Sequence, residues 1–181
     1  AHAVAYCLTS LKIAWFKVHH PAAFYAQALS LQVKDLDLEA VLGGERKIRE
    51  TRKEIQDRIR ARLATAGDEN KAGLLELALE MTLRGLRVLP PRIGASEGEE
   101  ASEDWRFLPA KDGGGILAPL RAVPGLGDIL AERILRERET GEFRTIEDFA
   151  LRTGASRPTL EALRRLEAFG DLAPSAQLSL V

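Results

Sequence analysis

The amino-acid sequence predicts a mainly α-helical fold with one short β connector and a tandem pair of helical hairpins near its end. Three observations carry that expectation. Up to about residue 86, apolar residues recur at three- and four-residue intervals. Between 87 and 118 they occur only in short pieces cut by Pro90-Pro91 and Gly113-Gly114-Gly115. From 119 to 172 the pattern returns to helices, now joined by glycine-bearing turns, and 173–181 read as a flexible tail.

Taken in order, Ala3, Cys7, Ser10, Leu11 and Ala14 mark a first helix, expected to be buried, which His19-His20-Pro21 brings to a stop. Pro21 suits the first position of a second helix running to Leu31, with Phe24, Tyr25, Ala28 and Leu29 in the core. Leu36 to Leu42 reads as a connecting segment ending at Gly43-Gly44. Glu45 to Ala64 follows as a long charged helix with one apolar stripe, Ile48, Ile55, Ile59 and Leu63. Its basic side chains outnumber its acidic ones, and a solvated face laced with i,i+4 pairs is preferred over a phosphate-facing one. Gly67 to Gly73 reads as a polar turn and Leu74 to Leu83 as a helix closed by Arg84-Gly85. The first residues already have the character of helix interior, without initiator Met or N-cap, as expected of a piece of a longer chain.

The connector is read from Val88-Leu89, Trp105 to Leu108 and Gly115 to Leu117, with an acidic stretch from Glu97 to Asp104 expected to face away from any nucleic acid. The 26 Lys and Arg against 27 Asp and Glu leave a net charge of -1, so affinity for DNA must come from local placement rather than bulk charge. A single cysteine, Cys7, excludes an internal disulfide framework, and no apolar run reaches the roughly 18 to 20 residues of a membrane span. His2, His19, His20 and Cys7 have no metal-site spacing, so no metal is assigned.

The functional element is Val123-Pro124-Gly125-Leu126-Gly127. Leu120-Arg121-Ala122 leads into it and a helix from Asp128 to Arg138 leaves it, with Ile129, Leu130, Ala131, Ile134 and Leu135 on its apolar side. Two glycines around one apolar residue allow positive φ and keep side chains off the turn, while Leu126 plugs the core. The exposed N–H groups, with the unpaired donors at the helix start, then form a concavity for phosphate oxygens. This is a helix-hairpin-helix, expected to hold a DNA backbone without reading bases, through Val123, Gly125, Leu126 and Gly127 with help from Arg121, Arg133 and Arg136. A second hairpin follows, with a helix from Thr145 to Leu151, the turn Thr153-Gly154-Ala155-Ser156 and a helix from Pro158 to Phe169. It either contacts the opposite strand through Arg152, Arg157, Arg164 and Arg165 or completes a core with the first, two readings of equal weight.

His2-Ala3-Val4-Ala5-Tyr6, Phe16-Lys17-Val18-His19-His20-Pro21 and Phe24-Tyr25, then Leu79-Glu80-Met81 with Arg84-Gly85, Ala122 to Gly127, and Gly141-Glu142-Phe143 with Glu147-Asp148, occur in an order that resembles the C-terminal part of PolC-type DNA polymerase III alpha subunits. The resemblance covers essentially all 181 residues. It implies that 1–86 are the helical end of a fingers domain and that the hairpins of 119–172 are a duplex-binding module behind the active site. The metal-binding palm, with its Mg2+, would lie upstream, so no catalytic residue and no cofactor are assigned here and the fragment alone should be inactive. His2 and Tyr6, one helical turn apart, either border the nucleotide site or pack within the fingers.

The ending Gln177-Leu178-Ser179-Leu180-Val181 resembles the peptide by which such polymerases hold a sliding clamp, an extended segment offering an amide and apolar side chains to a pocket. Val181 stands where family members often carry Phe. The resemblance further implies primer-template duplex, the clamp and other replisome subunits as partners, and a bacterial cytoplasmic, nucleoid-associated setting with no membrane. The alternative is a helix-hairpin-helix module of a repair or recombination protein. A glycosylase lacks its catalytic Asp setting here, and a protein-interaction scaffold would lack DNA affinity altogether.

Overall fold

The computed structural model describes residues 2–94 and 100–175. Among them are eight α-helices, two 3-10 turns and one three-stranded sheet. The mainly α expectation therefore holds, with the β segments confined to the connector.

The N-terminal unit consists of α1 (His2–His19), α2 (Pro21–Ser30), a 3-10 turn at Val33–Asp35, α3 (Leu38–Leu42), α4 (Gly44–Arg60) and α5 (Asp68–Leu83). Its centre is the antiparallel pair α4 and α5, which close Ile48 and Ile55 against Leu75, Ala78 and Met81, with Tyr25 and Leu29 of α2 above them. The expected connecting segment at 36–42 contains α3, because the Asp37 carboxylate accepts from Ala40 N at 2.9 Å and caps a short helix. The polar turn expected at 67–73 is shorter, since α5 begins at Asp68, whose side chain takes a hydrogen bond from Thr65 N and two from Arg58. Leu63 falls beyond the end of α4 and is 70% exposed, so the apolar stripe is one residue shorter than predicted. The charged face of α4 is occupied as a solvated face should be: Arg49 pairs with Glu45, Arg46 with Glu50 and Arg52 with Glu76 of α5.

Helix α1 departs from the expectation of burial. None of its residues is buried, and Val4, Tyr6, Leu11, Trp15 and Val18 are each at least half exposed. Its apolar side chains are spread around the whole circumference, and α2 is its main neighbour among the described elements, so most of them find no partner surface. Its last turn is tied down by Lys17, which donates to Glu80 at 2.7 Å and lies over the rings of Phe24 and Tyr25. No described helix is long and apolar enough to cross a membrane.

The connector forms β1 (Arg87–Leu89), β2 (Leu108–Pro109) and β3 (Gly115–Leu117), in the order β1-β3-β2. β3 runs parallel to β1, with Arg87 opposite Gly115, and antiparallel to β2. Gly115 is required there, since a Cβ would come within 2.5 Å of the Arg87 carbonyl oxygen. Ser102, 1% exposed, fastens the crossover: its hydroxyl receives Arg92 N at 2.8 Å and donates to Ala118 O at 2.6 Å.

A 3-10 turn at Leu120–Ala122 and α6 (Asp128–Thr140) make the first hairpin, and α7 (Ile146–Thr153) with α8 (Arg157–Arg165) makes the second. Phe149 joins them, meeting Phe143 and Phe169 edge to face with centroids 5.0 and 5.2 Å apart. One hydrophobic core runs without interruption from Tyr25 through Ile116, Leu120 and Ile134 to Leu163 and Phe169. The tail expected from 173 is fastened at its start, because Ala173 O and Pro174 O accept from Ile146 N and Glu147 N.

Candidate nucleic-acid interface

The glycine turn departs in detail from its prediction. The element before it is a single 3-10 turn, bounded by Pro119 and Pro124 within too few residues for an α-helix. Only Gly125 adopts positive φ, at 77°, while Gly127 is extended at φ -73° and ψ 162° as the N-cap of α6. An N-cap residue needs extended backbone, so the left-handed conformation falls on Gly125 alone. Leu126 is 6% exposed and enters the core as expected, but Val123, read from the sequence as a backbone-phosphate contact, is 2% exposed and its N–H goes to Leu120 O, so it packs rather than binds.

What the turn leaves open is a cluster of donors. The N–H groups of Gly125, Gly127, Asp128 and Ile129 find no acceptor among the described residues, because Leu126 N turns inward to Val123 O and the first helical bonds to Gly127 O come from Leu130 and Ala131. No side chain caps α6. A Cβ at Gly127 would meet nothing within 4 Å, so neither φ nor crowding demands glycine there. Its missing side chain serves access from outside. Four unpaired N–H groups at a helix start present positive potential to an anion, whose oxygens can accept from several of them together.

Of the three arginines assigned to this site, two are committed within the protein. Arg121 meets the Asp104 carboxylate in a fork, at 2.6 and 2.8 Å, and Asp128 at 3.0 Å, and these carboxylates hold its guanidinium still more firmly protonated. Arg133 donates to Thr153 O at 3.0 Å and ties α6 to the turn of the second hairpin. Arg136 is exposed and makes no ion pair among the described residues. The acidic stretch does not turn wholly away, since Glu103 O and Asp104 O accept from Leu120 N and Arg121 N beside the hairpin. Lys34 also reaches the hairpin, its ammonium 3.1 Å from Asp128. It is 94 residues away in sequence, and no local pattern could have placed it there.

The family model described as the helix-hairpin-helix motif matches residues 85–178. The chain belongs to the helix-hairpin-helix family. Over nearly its whole length it is also similar to proteins named DNA polymerase III PolC-type, as the resemblance implied. It is 39% identical over 180 residues to that of Caldanaerobacter subterraneus, and 36% to those of Thermotoga maritima and Lacticaseibacillus paracasei, in each case over 99% of this chain. The chain spans only 12% of the length of those relatives.

The two helix-hairpin-helix turns differ in their donors. In the second, Ser156 caps α8 by accepting from Thr159 N, Ala155 N donates to the Thr153 hydroxyl, and Gly154 N returns to Ala150 O. Only Ser156 N and Arg157 N find no acceptor among the described residues, two open donors against four in the first turn. Arg152 is engaged by Glu137 and Asp148, Arg157 by Glu161 and Arg165 by Glu39, which leaves Arg164 outside ion pairs among the described residues. His2 and Tyr6 pack edge to face with each other, centroids 4.6 Å apart, on exposed α1. The proposed clamp peptide, Gln177, Leu178, Ser179, Leu180 and Val181, lies outside the described residues.

Proposed function

We propose that this chain is the duplex-gripping part of a PolC-type replicative DNA polymerase, in which the first hairpin holds backbone phosphates without regard to sequence. The observation that carries this reading is the set of four unpaired N–H groups at Gly125, Gly127, Asp128 and Ile129, left accessible by a glycine that nothing inside the protein requires. Contacts of this kind fix position and orientation on the duplex and carry no base information. The second hairpin, whose turn leaves only Ser156 N and Arg157 N open, is on this reading a structural support. The similarity to PolC-type polymerases extends through α1 to α5, outside the matched motif, which favours a polymerase over a stand-alone repair module.

The nucleotidyltransfer itself, with its Mg2+, belongs on this reading to carboxylates of the longer protein. The tail from Gln177 to Val181 would tether it to a sliding clamp, beside other replisome subunits, in a bacterial cytoplasm at the nucleoid.

The test is a titration of the chain with duplex of arbitrary sequence. Gly127→Val keeps a backbone conformation that any residue adopts and its Cβ meets nothing within 4 Å, so the protein should stay folded, at a cost of about 1 kcal/mol because valine is a poorer N-cap than glycine. The valine side chain should nevertheless screen the amides and lower duplex affinity at least about tenfold. Affinity in the parent should fall linearly on a log-log plot against salt, by about 0.9 per phosphate held. A folded Gly127→Val protein that binds duplex as tightly as the parent ends this assignment.

A further inference from the structure

Building on the hairpin as a phosphate site, we infer that Lys34, from the N-terminal helical unit, is a further phosphate ligand of that hairpin and that Asp128 restrains it and limits the affinity. The Lys34 ammonium lies 3.1 and 3.2 Å from the two carboxylate oxygens of Asp128. Asp128 opens α6, and its own N–H is one of the four unpaired donors. A cation from a distant part of the chain is thereby held at the rim of the anion-binding amides.

Two cations reach Asp128, and they differ in freedom. Arg121 has only 19% of its side chain exposed and is gripped by the forked pair with Asp104, so it stays where it is. Lys34 and Asp128 are 64% and 52% exposed. A pair so open to water contributes little and exchanges readily, so Lys34 is the side chain able to leave Asp128 for a phosphate oxygen.

Between residues 34–39 and the hairpin lies a cavity of about 560 Å³, lined also by Lys71, which makes no ion pair among the described residues. Of the carboxylates on its wall, Glu39 is paired with Arg165, leaving Asp35, Asp37 and Asp128 to oppose an incoming phosphate. Asp128 acts twice against binding, by repelling the anion and by occupying its cation. The hairpin is in this way a composite site, weak as built.

The two substitutions that break this pair separate a ligand from a structural tie. Duplex titrations at several salt concentrations should show Lys34→Ala weakening binding about fivefold and reducing the salt slope by about 0.9. Asp128→Asn should tighten binding by a similar factor, and the gain should shrink, to the share that comes from relieved repulsion, when Lys34→Ala is added. Were Lys34 only a tie between the two units, both single substitutions would move affinity in the same direction. Matching losses in the two variants, or an unchanged affinity and slope in Lys34→Ala, overturn the proposal. If the parent binds duplex and Gly127→Val abolishes it while Lys34→Ala does nothing, this inference alone fails. Absence of duplex binding by the parent at low salt removes both.

Discussion

Gly125 and Gly127 stand two residues apart and look interchangeable in the sequence, yet backbone geometry gives them separate tasks. Gly125 supplies the one left-handed residue of the turn, and Gly127 supplies the extended N-cap of α6 and clearance above the amides. The same division between local conformation and long-range partner governs the charged residues. Asp68 looks like an ordinary acidic residue of a helix start, but it is 2% exposed and receives Arg58 and Thr65 N. The Arg58 hydrogen bonds first, and the Thr65 amide next, hold its carboxyl down to about 2. Because the folded value lies below that of the unfolded chain, 3.8, the ionised carboxylate favours the folded state above that pH, and this contribution fades as pH falls through about 2. Asp68→Asn should therefore melt at a lower temperature than the parent at pH 7, with the difference closing toward pH 2. Thermal melts followed by circular dichroism across that range would show it. A constant difference at every pH would mean that packing, and not charge, is what Asp68 supplies.

At the scale of elements, helices were legible wherever apolar residues gathered on one face. That held for α4, α7 and α8, with Thr145 capping α7 at the start expected for it and Ser156, read as part of a turn, capping α8. Helix α1 shows the limit of this signal. Its residues specify a helix, but burial depends on a partner surface, which composition cannot report. The leading element of the first hairpin shows another limit, because two prolines reduce it to one 3-10 turn. The contrast between the hairpins leads to a prediction at this scale. Ser156→Ala removes the cap of α8 and should cost about 1 kcal/mol, visible as a lower melting temperature. Duplex affinity below that temperature should be unchanged, because the phosphate contacts are assigned to the first hairpin, with four open amides against two in the second. A loss of duplex affinity at unchanged stability would place the second hairpin on the DNA.

Across the whole molecule, one core joins the N-terminal helices, the sheet and both hairpins, and this is what brings Lys34 and Asp104 to the hairpin. The proposed tether is separable from that architecture. Deleting residues 177–181 should abolish binding to a sliding clamp in a pull-down and leave duplex affinity nearly unchanged, since the hairpin donors lie elsewhere in the chain. Clamp binding that survives the deletion would refute the tether.

The sequence by itself determined the helical class, the position of the β connector, the glycine turn and the apolar residues that anchor it, because each depends on neighbours within a few positions. Only the tertiary structure decided that Arg121 is locked by Asp104, that Lys34 meets Asp128, and that the first turn leaves four amides open and the second two. Charges and hydrogen-bond donors act on whatever the folded chain places within a few ångströms of them, and for these residues the deciding partners come from elsewhere in the chain or depend on the backbone path of the turn.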